Sequence, residues 1–271
     1  MSANGTYRRK SDRKLRPRFR CLSCHKTDSG AKRSLCFRQK LRHLNAEIWR
    51  RYCSSDPQRR IARDLKISRT TVVRKIRWLS RIKSVEHQKF LKQKKGASEI
   101  YLDDLKTYIH THCKPVSVSV AVTEDRKILG FEVSKTVPNS LRLIEIARKK
   151  YGPPKDETAQ GFKKLLERIS PHVTKKLQVI TDEHPLYPGL ITKTFPKAKI
   201  IRHKSKRAAV AGQGELKEKG HDPLFPINHT FAMIRAHVSR LVRSTWCTSK
   251  TIEGLQDHLT LYMHYHNSIL T

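Results

Sequence analysis

The spacing of apolar residues changes near residue 98, and that change organises the chain. Before it, the spacing is helical. Leu41, Leu44, Ile48 and Trp49 predict a helix within 41–56. Gln58 to Leu65 predicts another, with Ile61, Ala62 and Leu65 inward. Lys66-Ile67-Ser68 reads as a turn, and Arg69 to Leu79 as a third helix that buries Val72, Val73, Ile76 and Leu79. That helix exposes Arg69, Thr70, Thr71, Arg74, Lys75 and Arg77, and Ser68 stands where its hydroxyl oxygen caps it. Two short helices around a tight turn, the second one basic, make a helix-turn-helix. Residues 1–20 show no periodicity and read as a basic arm. Residues 83–97 are charged and read as a linker.

After residue 98 the period becomes two. Segments 99–108, 115–122 and 128–134 predict three antiparallel strands. Helices follow at 138–150 and 162–169, a short strand at 177–180, a helix at 184–195 and a strand at 197–202. Residues 203–226 are basic, then glycine-rich, and read as an insertion. Long helices are expected at 228–242 and 251–266. The order β-β-β-α-β-α-β-α predicts an α/β fold, a mixed sheet with helices on its faces. The expected division is a basic arm (1–40), a small helical helix-turn-helix domain (41–82), a linker (83–97) and an α/β domain (98–271).

Charge gives this architecture a partner. The formal net charge is +35. Residues 1–100 hold 30 Lys and Arg against 7 Asp and Glu. Such a balance favours a polyanion, and nucleic acid above all. The second helix of the pair would enter the major groove of double-stranded DNA. Arg69, Thr70, Thr71 and Arg74 would then meet base edges, and Lys75 and Arg77 phosphates. No apolar run is long enough for a bilayer, and MSANGTYRRKSDRK has no apolar core of a secretory signal. The six cysteines do not suggest a disulfide framework, so a cytoplasmic protein without membrane contact is expected.

Candidate chemistry lies in both halves. Cys21-Leu-Ser-Cys24 has the spacing that presents two thiolates to Zn²⁺; the next possible ligands, His25 and Cys36, do not form a second pair. In the α/β half, Asp103 lies on the first strand and Asp182 directly follows the apolar strand 177–180. If those strands are neighbours the carboxylates converge, and a divalent cation offsets their repulsion. Mg²⁺ (or Mn²⁺) held there would suit phosphoryl chemistry. Asp104 reads as a turn or supporting residue. Two residues compete for a third ligand: Glu215 brings a full charge on a glycine-rich loop, and Asn228 brings an amide oxygen from a firmly held helix start. Arg235, Arg240, Arg243 and Lys250 follow as phosphate-binding candidates. Tyr187 packs or touches substrate, and His110 or His112 meets phosphate or solvent. Trp246 and Cys247 read as packing residues.

The segments LDDLKTYIHTHCKPVSVSVAV, VITDEHPLYPGLI and INHTFAMIRAHVSRLVRSTWCTSK resemble, in that order, the transposases of small bacterial insertion sequences. The group in question carries an N-terminal zinc ribbon, a helix-turn-helix and a ribonuclease-H-like catalytic domain, and the resemblance runs from about Asn4 to Asn267. It implies catalytic roles for Asp103, with Asp104 in the second acidic place, for Asp182 and for Asn228. It thereby favours Asn228 over Glu215. The implied activity is Mg²⁺-dependent strand cleavage and transfer at the element's terminal inverted repeats. A homo-oligomer that brings two ends and target DNA together is expected. The family's ribbon has two CxxC pairs, whereas only Cys21 and Cys24 stand here, so a truncated ribbon that holds Zn²⁺ weakly is expected. Two other functions fit the same residues: a non-enzymatic DNA-binding protein from a decayed element, and a nuclease of the same fold.

Overall fold

The alternation of valine with serine in 115–122 produces β5 (Pro115–Thr123), and this strand is buried along both faces. In the computed structural model, which describes residues 1–10, 13–29, 35–37, 39–93, 96–204, 222–241 and 249–270, the chain forms two compact units, Met1–Ile48 and Trp49–Thr271. In the larger unit β5 lies between β4 (Ala97–Tyr108) and β6 (Ile128–Lys135), antiparallel to both. On the far side of β4 run β7 (Val173–Asp182) and β8 (Lys199–His203), both parallel to β4, giving the order β6-β5-β4-β7-β8. The expected mixed sheet is therefore present.

Helices α4 (Leu141–Tyr151) and α5 (Thr158–Ile169) lie between β6 and β7, and α6 (Leu186–Thr194) lies between β7 and β8. Small residues allow α5 to approach closely. Gly130 lies beneath Leu165 and Ile169, and a Cβ on Gly161 would stand 2.7 Å from Ser134 Cβ. Phe162, Leu165, Leu166 and Ile169 then form a core with Ile100, Leu102, Val179 and Tyr187. Further helices, α7 (Phe225–His237) and α8 (Ile252–Tyr265), pack on β4 and β5 and on β6 respectively. Asn267 holds the chain to the start of β6: its Oδ1 accepts from Ile128 N and its Nδ2 donates to Ile128 O, each at 2.8 Å.

The helical pair also belongs to this unit. It comprises α2 (Gln58–Asp64) and α3 (Arg69–Gln93), preceded by α1 (Asn45–Tyr52). Lys66 adopts a left-handed backbone (φ 52°) in the turn, and Ser68 Oγ accepts from Thr71 N at 3.1 Å, which is the expected cap. The expected linker at 83–97 is instead helical as far as Gln93. The charged residues outnumber the anchors there, but His87 Nε2 donates to Leu129 O (3.1 Å) and Leu91 enters the core. With α8 packed along α3, those contacts carry the helix on.

The smaller unit also departs from expectation. Residues 1–20 contain β1 (Ser2–Arg8) and β2 (Leu15–Arg20), which join β3 (Thr27–Asp28) in an antiparallel sheet. Nearly every side chain of β1 and β2 is exposed. Without a buried face there is no alternation of apolar and polar residues to read. No described helix is long and apolar enough to cross a membrane.

Candidate functional site

The sheet brings Asp103 and Asp182 together. Leu102 pairs with Thr181 in the parallel β4–β7 ladder, and the two aspartates are the next residue on each strand. Adjacent strands lie about 4.8 Å apart, and residues at one level project from the same face. The other neighbours at this level are Val120 on β5 and His203 on β8. Burial pushes the Asp103 carboxyl up to about 7, and the charge on Asp182 adds to the effect. Hydrogen bonds oppose it: Asp103 Oδ1 accepts from Asp104 N at 2.7 Å and from Tyr187 Oη at 3.5 Å. Tyr187 is stacked on Phe162 with ring centroids 4.5 Å apart, and burial keeps its hydroxyl protonated. It packs and touches the site at once. Asp182 Oδ1 accepts from His184 N (3.0 Å), so it closes a turn ahead of α6, which begins at Leu186 rather than His184.

Asp104 alternates away from Asp103 and pairs with Ser119. Its Oδ1 and the hydroxyls of Ser117, Ser119 and Ser134 are buried, and among the described residues none of them makes a well-aligned hydrogen bond, although Ser117 and Ser119 stand near the Asp104 carboxylate. Burial raises its pKa, and the nearby serine hydroxyls oppose the shift.

Of the competing third ligands, Glu215 lies outside the described residues. Asn228 does not open its helix: α7 begins at Phe225, and Asn228 N donates to Leu224 O at 3.0 Å. Its side chain is exposed, and Nδ2 donates to Asp222 Oδ2 (3.0 Å). Among the described residues no group of three or more His, Cys, Asp and Glu is placed to hold a metal. Two adjacent carboxylates, one resisting ionisation, still fit Mg²⁺, which binds through one or two carboxylates, retained waters and substrate phosphates. Asp103 and Asp182 would hold it.

The cationic candidates fall into groups. Arg69 and Arg77, eight residues apart on one face of α3, line a cleft of about 660 Å³ together with Arg59, Arg240 and Lys250. Sequence reasoning overlooks Arg59, whose only signal is its place among the arginines that open α2. Arg240 is anchored through Nη1 to Ser249 Oγ (3.3 Å) and lies 6.0 Å from the Tyr52 ring centre. It stands on a separate 3₁₀ turn, Ser239–Leu241, because the expected helix 228–242 breaks at Val238. Arg235 is exposed on α7, as are Thr70 and Arg74 on α3, while Thr71 is half-buried. Lys75 departs from the expected exposed position. It is only 4% exposed, on the face it shares with Val72 and Leu79, and does not face solvent. Arg243, Trp246 and Cys247 lie outside the described residues.

Cys21 and Cys24 occupy the β2–β3 turn, closed by Cys21 N to Lys26 O at 2.9 Å and His25 N to Cys21 O at 3.0 Å. Amides of Cys24 and Ser23 lower the Cys21 pKa, which favours a thiolate. Compared with known protein families and with curated proteins, the chain matches none.

Proposed function

We propose that this chain cleaves and joins DNA strands with the help of Mg²⁺ or Mn²⁺, in the manner of the insertion-sequence transposases it resembles, and that its sheet is of the ribonuclease-H-like kind. The supporting observation is the pair Asp103 and Asp182, set side by side on parallel β4 and β7. A strand order of β6-β5-β4-β7-β8, three antiparallel strands continued by two parallel ones, suits that fold. A divalent ion bound there would supply a Lewis acid for phosphodiester oxygens. The chain's own residues do the rest. Asp103 and Asp182 would hold the ion, Tyr187 Oη orients Asp103, and the resemblance makes Asn228 on α7 the candidate third ligand. Arg59, Arg69, Arg77, Arg240 and Lys250 hold the phosphodiester backbone of double-stranded DNA. Terminal inverted repeats and target DNA are the substrates, and a homo-oligomer unites the two ends. Zn²⁺ on Cys21 and Cys24 has at most an accessory role.

The test uses labelled duplexes bearing the candidate ends. Asp103→Asn and Asp182→Asn should each abolish strand cleavage and joining while duplex affinity persists. Cleavage retained by either variant would sink the assignment. Cleavage without joining by the natural chain would instead identify a nuclease.

A further inference from the structure

A second cleft has a different character. It encloses about 500 Å³ between the end of β4, the start of α4 and the 3₁₀ turn at Ser239–Leu241. Tyr108 and His112 lie on one wall with ring centroids 4.0 Å apart and planes inclined by 36°. Lys106, Arg235 and Arg240 add three cations, Asn139 adds an amide, and no described lining residue is a carboxylate. The wall is firmly held. Ile109 N donates to Lys114 O at 2.9 Å across the turn that carries His112, and His110 N donates to Ser249 O at 2.7 Å.

We infer that this cleft binds one unpaired nucleotide of a DNA strand, its base stacked on an outer face of the Tyr108–His112 ring pair and its phosphate held by Lys106, Arg235 and Arg240. Aromatic rings recognise the face of any base, and cations recognise the backbone; together they select nucleic acid over a simple anion. The volume is that of a small-molecule site, of the order of 300–1,000 Å³. A duplex does not enter it, so the base must first leave the stack. Tyr108 is five residues beyond Asp103 on β4, roughly 16 Å at about 3.3 Å per residue. An odd step along a regular strand puts the two side chains on opposite faces of the sheet, so the cleft is a separate site from the carboxylates. This inference rests on the proposal that DNA is the partner, but not on cleavage.

The experiment measures binding in chelator, so that no chemistry intervenes. Single-stranded and duplex oligonucleotides carry a fluorescent adenine analogue whose emission is quenched by stacking. The full chain should quench the single strand, and an abasic strand should bind about tenfold more weakly. His112→Ala, at an exposed position, and Tyr108→Leu, which keeps an apolar residue on the strand, should each abolish the quench. Each should weaken single-strand binding about tenfold and leave duplex affinity unchanged. Equal affinity of the abasic strand, or unaltered quenching in both variants, would overturn the inference. Base-dependent binding by a chain that never cleaves in Mg²⁺ would overturn the cleavage proposal alone. Cleavage that is indifferent to both aromatic substitutions, with no quench, would overturn the nucleotide site alone.

Discussion

Replacing Asp103 with asparagine should make the protein more stable while destroying its proposed chemistry. In an unfolded chain this carboxyl ionises near 3.8, whereas in the folded protein burial and Asp182 delay ionisation to about 7. Between those values the folded state keeps a proton that the unfolded state has lost. Stability therefore falls as pH rises through the window, and the full penalty stands above it. At about 1.4 kcal/mol per pH unit the gap corresponds to about 4 kcal/mol. Solvent reaching the half-buried carboxylate reduces this to about 2–4 kcal/mol. Asp103→Asn removes the charge and keeps the shape. At about pH 8 its Tm should exceed the natural chain's by about 4–8 °C, and at about pH 3.5 the two should coincide. Calorimetry at both pH values, with and without Mg²⁺, is the assay. Mg²⁺ should raise the natural chain's Tm near pH 8 and leave the variant's unchanged. A variant that melts at or below the natural chain near pH 8, or that gains equally near pH 3.5, would refute the electrostatic account.

Other substitutions test the packing. Gly161→Ala puts a methyl group 2.7 Å from Ser134 Cβ, and should lower stability by about 1–3 kcal/mol in denaturant titration. An unchanged midpoint would mean that α5 lies further from the sheet. Asn267→Ala orphans the amide and carbonyl of Ile128 and should cost about 2–4 kcal/mol, with faster hydrogen exchange at Ile128 as its local mark. Burial depresses His258 to about 3, so stability present above about 6.5 should decline as pH falls towards 3. A proton-resonance titration that finds His258 charged near pH 6 would contradict this.

How legible the molecule is from its sequence depends on what each residue faces. Strand β5 can be read because Val116, Val118, Val120 and Val122 alternate with small residues under close-packed helices. Asp103 and Asp182 can be read because each follows an apolar strand segment, and the register then brings them level. The continuation of α3 past Leu79 cannot, since it rests on two distant contacts, His87 with Leu129 and Leu91 with the core. Lys75 reads as exposed because lysine usually is, and only tertiary packing covers it. The cleft beside Tyr108 is half legible: His112 reads as a phosphate- or solvent-facing residue, but Tyr108 joins it only when the β4–β5 turn folds back.

The unbroken length of α3 has a consequence for any DNA held against it. Its 25 residues span about 37 Å, close to one turn of B-form duplex. One end carries Arg69 beside the turn from α2, and the other leads to the strand that bears Asp103. A rod of that kind works as a ruler. On the DNA reading, the scissile bond is then set by distance from the recognised bases rather than by the sequence at the cut, and each residue inserted into α3 would swing one end by about 100° relative to the other.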